Sequence, residues 1–287
     1  MATLEKKIDF VAVISVENAN ANGDPLNGNR PRTDYEGLGE ISDVCIKRKI
    51  RNRMQDLSTP GSVFVQSDER SDDGAKSLKK RAEFLGKIKD RDEFEKTACE
   101  KWIDVRSFGQ VFTFKDFDCS SVGVRGPVSI HQAVSVDPVE VNSMQITKSV
   151  NAIPAEDEKK TEDDMSSDRM GWKHFVKFGM YILKGSINVQ LAEKTGFTSE
   201  DAELIKECLR TLFVNDSSSA RPDGSMEVIK LYWFKHNCKD GQYSSAKVHR
   251  SVDVHLKEGV SYPKSAEDYE ITLNRLEGLE VEEIEGM

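Results

Sequence analysis

Ile8-Asp9-Phe10-Val11-Ala12-Val13-Ile14-Ser15-Val16 decides how this chain is read. The segment is rich in β-branched residues, and apolar side chains fall on both odd and even positions. A half-buried strand would alternate, so this pattern predicts a central strand covered on both faces. Residues 17–39 follow as a polar loop with five Asn, four Gly and two Pro. Loops of this length inside a compact domain are uncommon and usually functional. The spacing then predicts a helix over 40–55, with Ile46, Ile50 and Met54 on one line and Ile41 and Cys45 on a second.

Beyond this core the rhythm breaks. Residues 57–74 are polar and turn-rich, and 76–86 and 92–102 read as two short charged helices, together a helical insertion. Strand character resumes over 104–117 around VFTF. Residues 122–141 hold a Gly-rich turn and an alternating strand. A hairpin arm, MQITKSV, opens 142–169, which ends in an acidic stretch. Residues 172–189 read as two short strands about Gly185. The clearest helix spans 198–214, with Thr198 and Asp201 at capping-box spacing and Ala202, Ile205, Leu209 and Leu212 as its buried stripe. A turn over 215–225, a strand over 226–236 and an acidic tail from Glu267 complete the chain. Strand, helix, strands, strands, helix, strand is the order of an α+β, split β-α-β ferredoxin-like fold. The sheet and loops of that fold are a common RNA platform.

The 287 residues are 37% hydrophobic and 32% charged, which fits one folded domain carrying insertions. No apolar run approaches the roughly 18–20 residues of a membrane span, and no secretory signal is expected. The five cysteines are scattered and lack a Cys-x-x-Cys pair, which argues against a disulfide framework or a zinc site and for a reducing, cytoplasmic setting. A net charge of −9 argues against nucleic acid at first sight. Residues 156–170 carry −4 of it and residues 267–287 carry −7, which leaves +2 on the rest. A local basic groove therefore remains open to this chain, and local field governs how a phosphate backbone is met.

Several segments carry candidate contacts. In the Asn/Gly loop the amides of Asn20 and Asn22, with backbone N–H groups, suit phosphate oxygens, and Arg30 and Arg32 add charge. Lys47-Arg48-Lys49-Ile50-Arg51-Asn52-Arg53 places Lys47 with Arg51, and Lys49 with Arg53, at i,i+4 spacing. Two such rows suit a nucleic-acid backbone; a solvated charged surface is the alternative. Arg106 lies in a segment read as a strand edge, with a possible Asp104–Arg106 pair, and Arg125 lies in a tight turn. Met144, Gln145, Thr147 and Lys148 lie on the hairpin arm, where Met144 and Ile146 are suited to wedging between bases and Lys148 to holding a phosphate. Trp172, Lys173 and His174 start the next strand.

The search for catalysis is mostly negative. The five His show no His-x-x-x-His spacing, His249 and His255 read as surface residues, and Gly-x-Ser-x-Gly and P-loop motifs do not occur. No metal or cofactor is expected. Asp34, beside Arg32 in the Gly-rich loop, is the one acid worth testing for cleavage.

The run NANANGDPLNGNRPRTDYEGLGEISDVCIKRKIRN resembles the opening of the CRISPR-associated Cascade backbone subunit of subtype I-C. WIDVRSFGQVF, VRGPVSIHQAVSVDPVE, MGWKHFVKFGMYILKGSIN and TGFTSEDAELIKECLRTLFVNDSSSARPDGSM are similar to later parts of the same family. The resemblance implies an RRM-like palm, a helical finger insertion and a thumb β-hairpin. On this chain it divides the palm into 1–56, 104–136 and 172–266. It places the finger at 57–103, a thumb with an acidic loop at 137–171 and an acidic tail at 267–287. It also implies a non-catalytic subunit that polymerises along a CRISPR RNA (crRNA) in a helical filament and kinks out a base every six nucleotides. The guide then pairs with a target DNA strand, so base pairing reads the sequence. The implied partners are crRNA, further copies of the chain, a crRNA 5′-handle-binding subunit, large and small subunits, and a recruited nuclease-helicase, with no membrane. Lys47, Arg48 and Arg51 would face phosphates, with Asn20, Asn22 and Arg32 beside them. Two rival expectations are a metal-dependent ribonuclease using Asp34, as in the related type III backbone subunits, and a monomeric RNA-binding regulator.

Overall fold

The computed structural model describes residues 2–114, 121–147 and 170–287. Strand β1 (Ile8–Ala19) leads through short strands β2 (Gly23–Asp24) and β3 (Arg30–Pro31) to β4 (Leu38–Ile41) and helix α1 (Asp43–Leu57). The insertion holds α2 (Leu78–Ala82), α3 (Arg91–Lys101), α4 (Ile103–Phe108), β5 (Gln110–Phe112) and β6 (Val122–Val124). Strands β7 (Val128–Ile130), β8 (Ala133–Pro138), β9 (Val141–Thr147) and β10 (Met170–Ile187) follow. Helices α5 (Val189–Thr195) and α6 (Ser199–Arg210) lead to β11 (Met226–Lys235). The chain ends with α7 (Ser245–His249), β12 (Val252–Leu256), β13 (Tyr269–Leu273) and β14 (Glu280–Glu285).

The central sheet is antiparallel, in the order β14-β11-β1-β10-β8-β4, and β7 and β9 also pair with β10. The strands before and after α1 and α6 thus fall in the split β-α-β order expected from the sequence, with β1 between β10 and β11. Residues 8–16 of β1 are buried without interruption. Its even positions, Phe10, Ala12 and Ile14, meet Ile46, Ile50 and Met54 of α1 and Ile205 and Leu209 of α6 in one core. Val11 and Val13 point the other way, into a core with Tyr232, Phe234, Val248, Val252, Val254 and Tyr269. Each large side chain buried in this way contributes roughly 1.5–3 kcal/mol of transfer free energy. The second core has a direct consequence for function. Helix α7 and the β12–β13 pair cover the sheet face that an open RNA platform would need.

Local chemistry sets the helix boundaries. The Ser42 side chain caps α1 by accepting from the backbone N–H of Cys45 at 3.3 Å. The helix starts later than expected because Glu40 and Ile41 pair with Val134 and Ala133 of β8. In α6 the Thr198–Asp201 capping box is present in both directions.

Several expectations are corrected. Residues 172–187 form part of one continuous strand, β10, and Gly185 is no break in it. A Cβ at Gly185 would lie 2.2 Å from the Phe10 ring and 2.6 Å from the Ser129 carbonyl oxygen, so glycine here makes room for its cross-strand neighbour. Residues 103–108 are helical: Trp102 and Val105 share the insertion's own core with Phe64, Phe94 and Phe112, a helical spacing hidden by β-branched and aromatic composition. The acidic segment from Glu267 is no loose tail, because it supplies β13 and β14. His249 is buried and its Nε2 lies 2.9 Å from the Gly185 carbonyl oxygen, whereas His255 is exposed as expected.

Candidate nucleic-acid interface

Strands β9 and β10 form an antiparallel ribbon with Thr147 opposite Met170 and Val141 opposite Val176. Trp172 stands across from Gln145, and His174 across from Ser143, so these four share one face. The Trp172 and His174 rings stack at 6.2 Å with a 7° tilt, and His174 Nδ1 lies 2.8 Å from Ser143 Oγ. Gln145 Nε2 reaches Met170 Sδ at 3.0 Å. Met144 and Ile146 occupy the opposite face, beside Lys173 and Gly171. Trp172 is 62% exposed and Met144 52%, with Ile146 and Met170 close to half. A ribbon that presents large apolar side chains on both faces is an interaction element. It brings Met144, Gln145, Thr147, Lys173 and His174 onto one element. Lys148 and residues 156–169 of the acidic stretch lie outside the described residues.

The Asn/Gly loop stands at the Ala19 end of β1, with β3 lying against β10. Its asparagines hold the loop itself. Asn20 is buried and donates from Nδ2 to the Asn29 carbonyl oxygen at 2.7 Å, while its backbone N–H reaches the Ala220 carbonyl oxygen. Asn22 Oδ1 accepts from the backbone N–H and the hydroxyl of Ser42 at 2.9 and 2.8 Å, anchoring the loop to the start of α1. Arg32 is 39% exposed at its side chain and pairs with Asp24 at 3.4 Å. Asp34 Oδ1 accepts from the backbone N–H groups of Glu36 and Leu38, both at 2.9 Å. Its carboxylate thus shapes a turn. Among the described residues no group of three or more His, Cys, Asp or Glu side chains is placed to hold a metal ion.

The two basic rows expected on α1 are largely turned inward. Lys47 pairs with Asp43 at 2.9 Å and Arg51 Nε with Asp104 at 2.9 Å, while Arg53 meets Asp56 and Thr211. Lys49 is buried against Asp216, to which Arg221 also donates at 3.1 Å. Burial lowers the Lys49 pKa even though Asp216 opposes the shift. Arg48 donates to the Val65 carbonyl oxygen at 2.8 Å and to Asn52 at 3.4 Å, both neutral acceptors. The helix therefore fastens the insertion and the 215–221 turn to the sheet. Arg221 joins this cluster through Asp216, five residues before it, and no local sequence signal marks the cluster because Lys49, which shares that carboxylate, stands 167 residues from it.

Two further expectations shift. Arg106 is held by Asp201 through two hydrogen bonds, at 2.9 and 2.6 Å, and also donates to the Cys99 carbonyl oxygen, so its guanidinium clamps α4 to α3 and to the start of α6. The Asp104–Arg106 pair is not formed. Arg125 lines a pocket with Lys7, Asn188 and Gln190 at the Ile8 end of β1. About 36 Å of strand separates that end from the Asn/Gly loop, at ~3.3 Å per residue. Arg125 therefore stands apart from the other candidates.

Known proteins bear on this arrangement. A CRISPR-associated protein Cas7 of Haloferax volcanii is 27% identical over 234 residues, which cover 74% of this chain and 65% of that protein. The chain thus spans just under two thirds of that relative's length. Among solved structures, a chain of a CRISPR RNA-guided surveillance complex, pre-nicking, is 15% identical with a TM-score of 0.48 over 89% of this chain and 84% of that one. A second surveillance-complex chain is 17% identical with a TM-score of 0.47 over 89% and 78%. The family described as CRISPR-associated protein Cas7 matches residues 6–274, nearly the whole folded body, and the chain belongs to that family.

Proposed function

We propose that this chain is a non-catalytic backbone subunit of a subtype I-C Cascade complex. Copies of it stack along a crRNA, hold its phosphate backbone and displace bases at six-nucleotide intervals, leaving the guide to pair with target DNA. The observation that carries this reading is the exposed β9–β10 ribbon beside the Asn/Gly loop, on a body whose sheet face is already covered. Met144, Ile146 and Trp172 are the side chains that wedge between or stack on bases. Arg32, Lys47 and Arg48 supply phosphate charge around the loop, with Lys173 on the ribbon. The other complex subunits and the nuclease-helicase complete the assembly, and the working compartment is the cytoplasm. The hydrogen bonds of Asp34 favour this reading over the ribonuclease.

Native mass spectrometry of the chain co-expressed with a repeat-spacer RNA tests it. The expected result is several copies per RNA, with one more copy for each six added spacer nucleotides. A constant one-to-one complex would overturn the assembly reading in favour of the regulator.

A further inference from the structure

We infer that Leu26 and Tyr35 form a plug that seats in an apolar hollow at the opposite end of β1 on a second copy of this chain. The inference rests on the end-to-end assembly proposed above and names the surfaces that would join.

Leu26 is 98% exposed and Tyr35 96%, the two most exposed large hydrophobic residues described. Both belong to the Asn/Gly loop, and both are held in place. Asp24 Oδ1 accepts from the Leu26 backbone N–H at 3.2 Å, and Asp34 Oδ1 closes the turn over Tyr35 by accepting from the backbone N–H groups of Glu36 and Leu38. The Arg32–Asp24 pair and the β2–β3 ladder join the two halves of the loop. A backbone ordered in this way, with its apolar side chains left in water, is preorganised for a partner.

The hollow measures about 330 Å³ and lies between residues 2–6, the start of α6 and the end of β11. Leu4, Ile8 and Ala202 make it apolar, and Glu5, Lys6, Glu203 and Lys235 line it with charge. An apolar centre with a charged rim is the form of a protein–protein hot-spot pocket. Arg30, Arg32 and Glu36 flank the plug, so each sign has an opposite available across the contact. Plug and hollow sit at opposite ends of one strand, which gives a heterologous contact that repeats from copy to copy and does not close as a two-fold pair.

The test uses two full-length variants on a long repeat-spacer RNA and on an RNA long enough for one copy only. Leu26→Ser with Tyr35→Ser removes the plug. Ser199→Trp, at an exposed position on the hollow, blocks the socket. Native mass spectrometry should find the wild type stacked on the long RNA and each variant alone bound without stacking. A mixture of the two should give pairs and nothing longer, because only one intact plug and one intact socket can meet. Affinity for the one-copy RNA should stay within about twofold of wild type. Stacking by either variant to the wild-type extent would overturn the inference and leave the assembly reading standing. Wild type that never stacks would overturn both. A tenfold or greater loss of one-copy RNA affinity in the plug variant would assign Tyr35 to base stacking and also overturn the inference.

Discussion

Arg51 and Asp104 form a buried bridge between helix α1 and the insertion. Arg51 Nε donates at 2.9 Å to Asp104 Oδ2, and the same carboxylate accepts from the backbone N–H groups of Phe64 and Val65 at 2.6 and 3.0 Å. One side chain thus satisfies three donors from two separate segments, α1 and residues 64–65. Asp104→Ala strands them all and should cost about 3–5 kcal/mol, read as a lowered urea midpoint. Arg51→Ala leaves an unpaired buried carboxylate. In a double-mutant cycle the two changes should be non-additive by at least 0.5 kcal/mol, as residues in direct contact are. Additive costs would mean that the bridge contributes nothing.

Phosphate contacts should show in the salt dependence of RNA binding. On single strands each lost contact lowers the slope of log K against log salt by about 0.7. Arg32→Ala with Lys47→Ala should therefore flatten the slope by about 1.4 on the same footing. Arg106→Ala should lower stability and leave the slope unchanged, since Asp201 holds its guanidinium. Filter-binding titrations at four salt concentrations would separate the two classes.

The ribbon should behave as a surface for binding and not for folding. Trp172→Ala removes a largely exposed ring, so stability should change by less than about 0.5 kcal/mol. RNA affinity should fall by roughly 1–3 kcal/mol, the usual range for a lost base–aromatic stack. Calorimetric melting paired with RNA titration checks both halves. A large fall in melting temperature would place the ring in the fold instead.

Acid should loosen the covered face of the sheet. Burial lowers the His249 pKa, against the opposing effects of the Gly185 carbonyl and Asp9. The unfolded chain therefore binds more protons than the folded one below about pH 6.5, and stability falls as pH drops through the folded value. Burial would raise the Asp9 carboxyl, but hydrogen bonds to His236 and Ser245 and the charge of Lys7 more than offset it. Its contribution is lost at still lower pH. His249→Gln keeps a donor near the Gly185 carbonyl and should flatten the melting temperature between about pH 5 and 6.5. An unaltered profile would show that His249 titrates equally in both states.

The sheet was legible where burial writes a local pattern. Residues 8–16 and the Ile46, Ile50 and Met54 stripe announced β1 and α1, and Thr198 with Asp201 marked the start of α6. The basic residues of α1 were legible as a cluster but not as individual roles. Whether Lys49 or Arg51 is free depends on Asp216 and Asp104, which stand 167 and 53 residues away. Arg106 and Asp201 are 95 residues apart. Such pairs leave no trace in spacing. Strand β14 was hidden for another reason: its acidic composition reads as a tail, whereas here Glu282 and Glu283 pair with lysines presented by α6 and β11.

That last strand also sets what the sheet presents at its border. It lies beyond residue 274, where the family match ends, and forms the outer border of the sheet. Glu280, Glu282, Glu283 and Glu285 run along it, the last three paired with lysines of α6 and β11, so a second sheet approaching sideways would meet a row of charged side chains. The other border, β4, is only four residues long. Neither end of the β14-to-β4 path therefore offers a long apolar edge to a further strand.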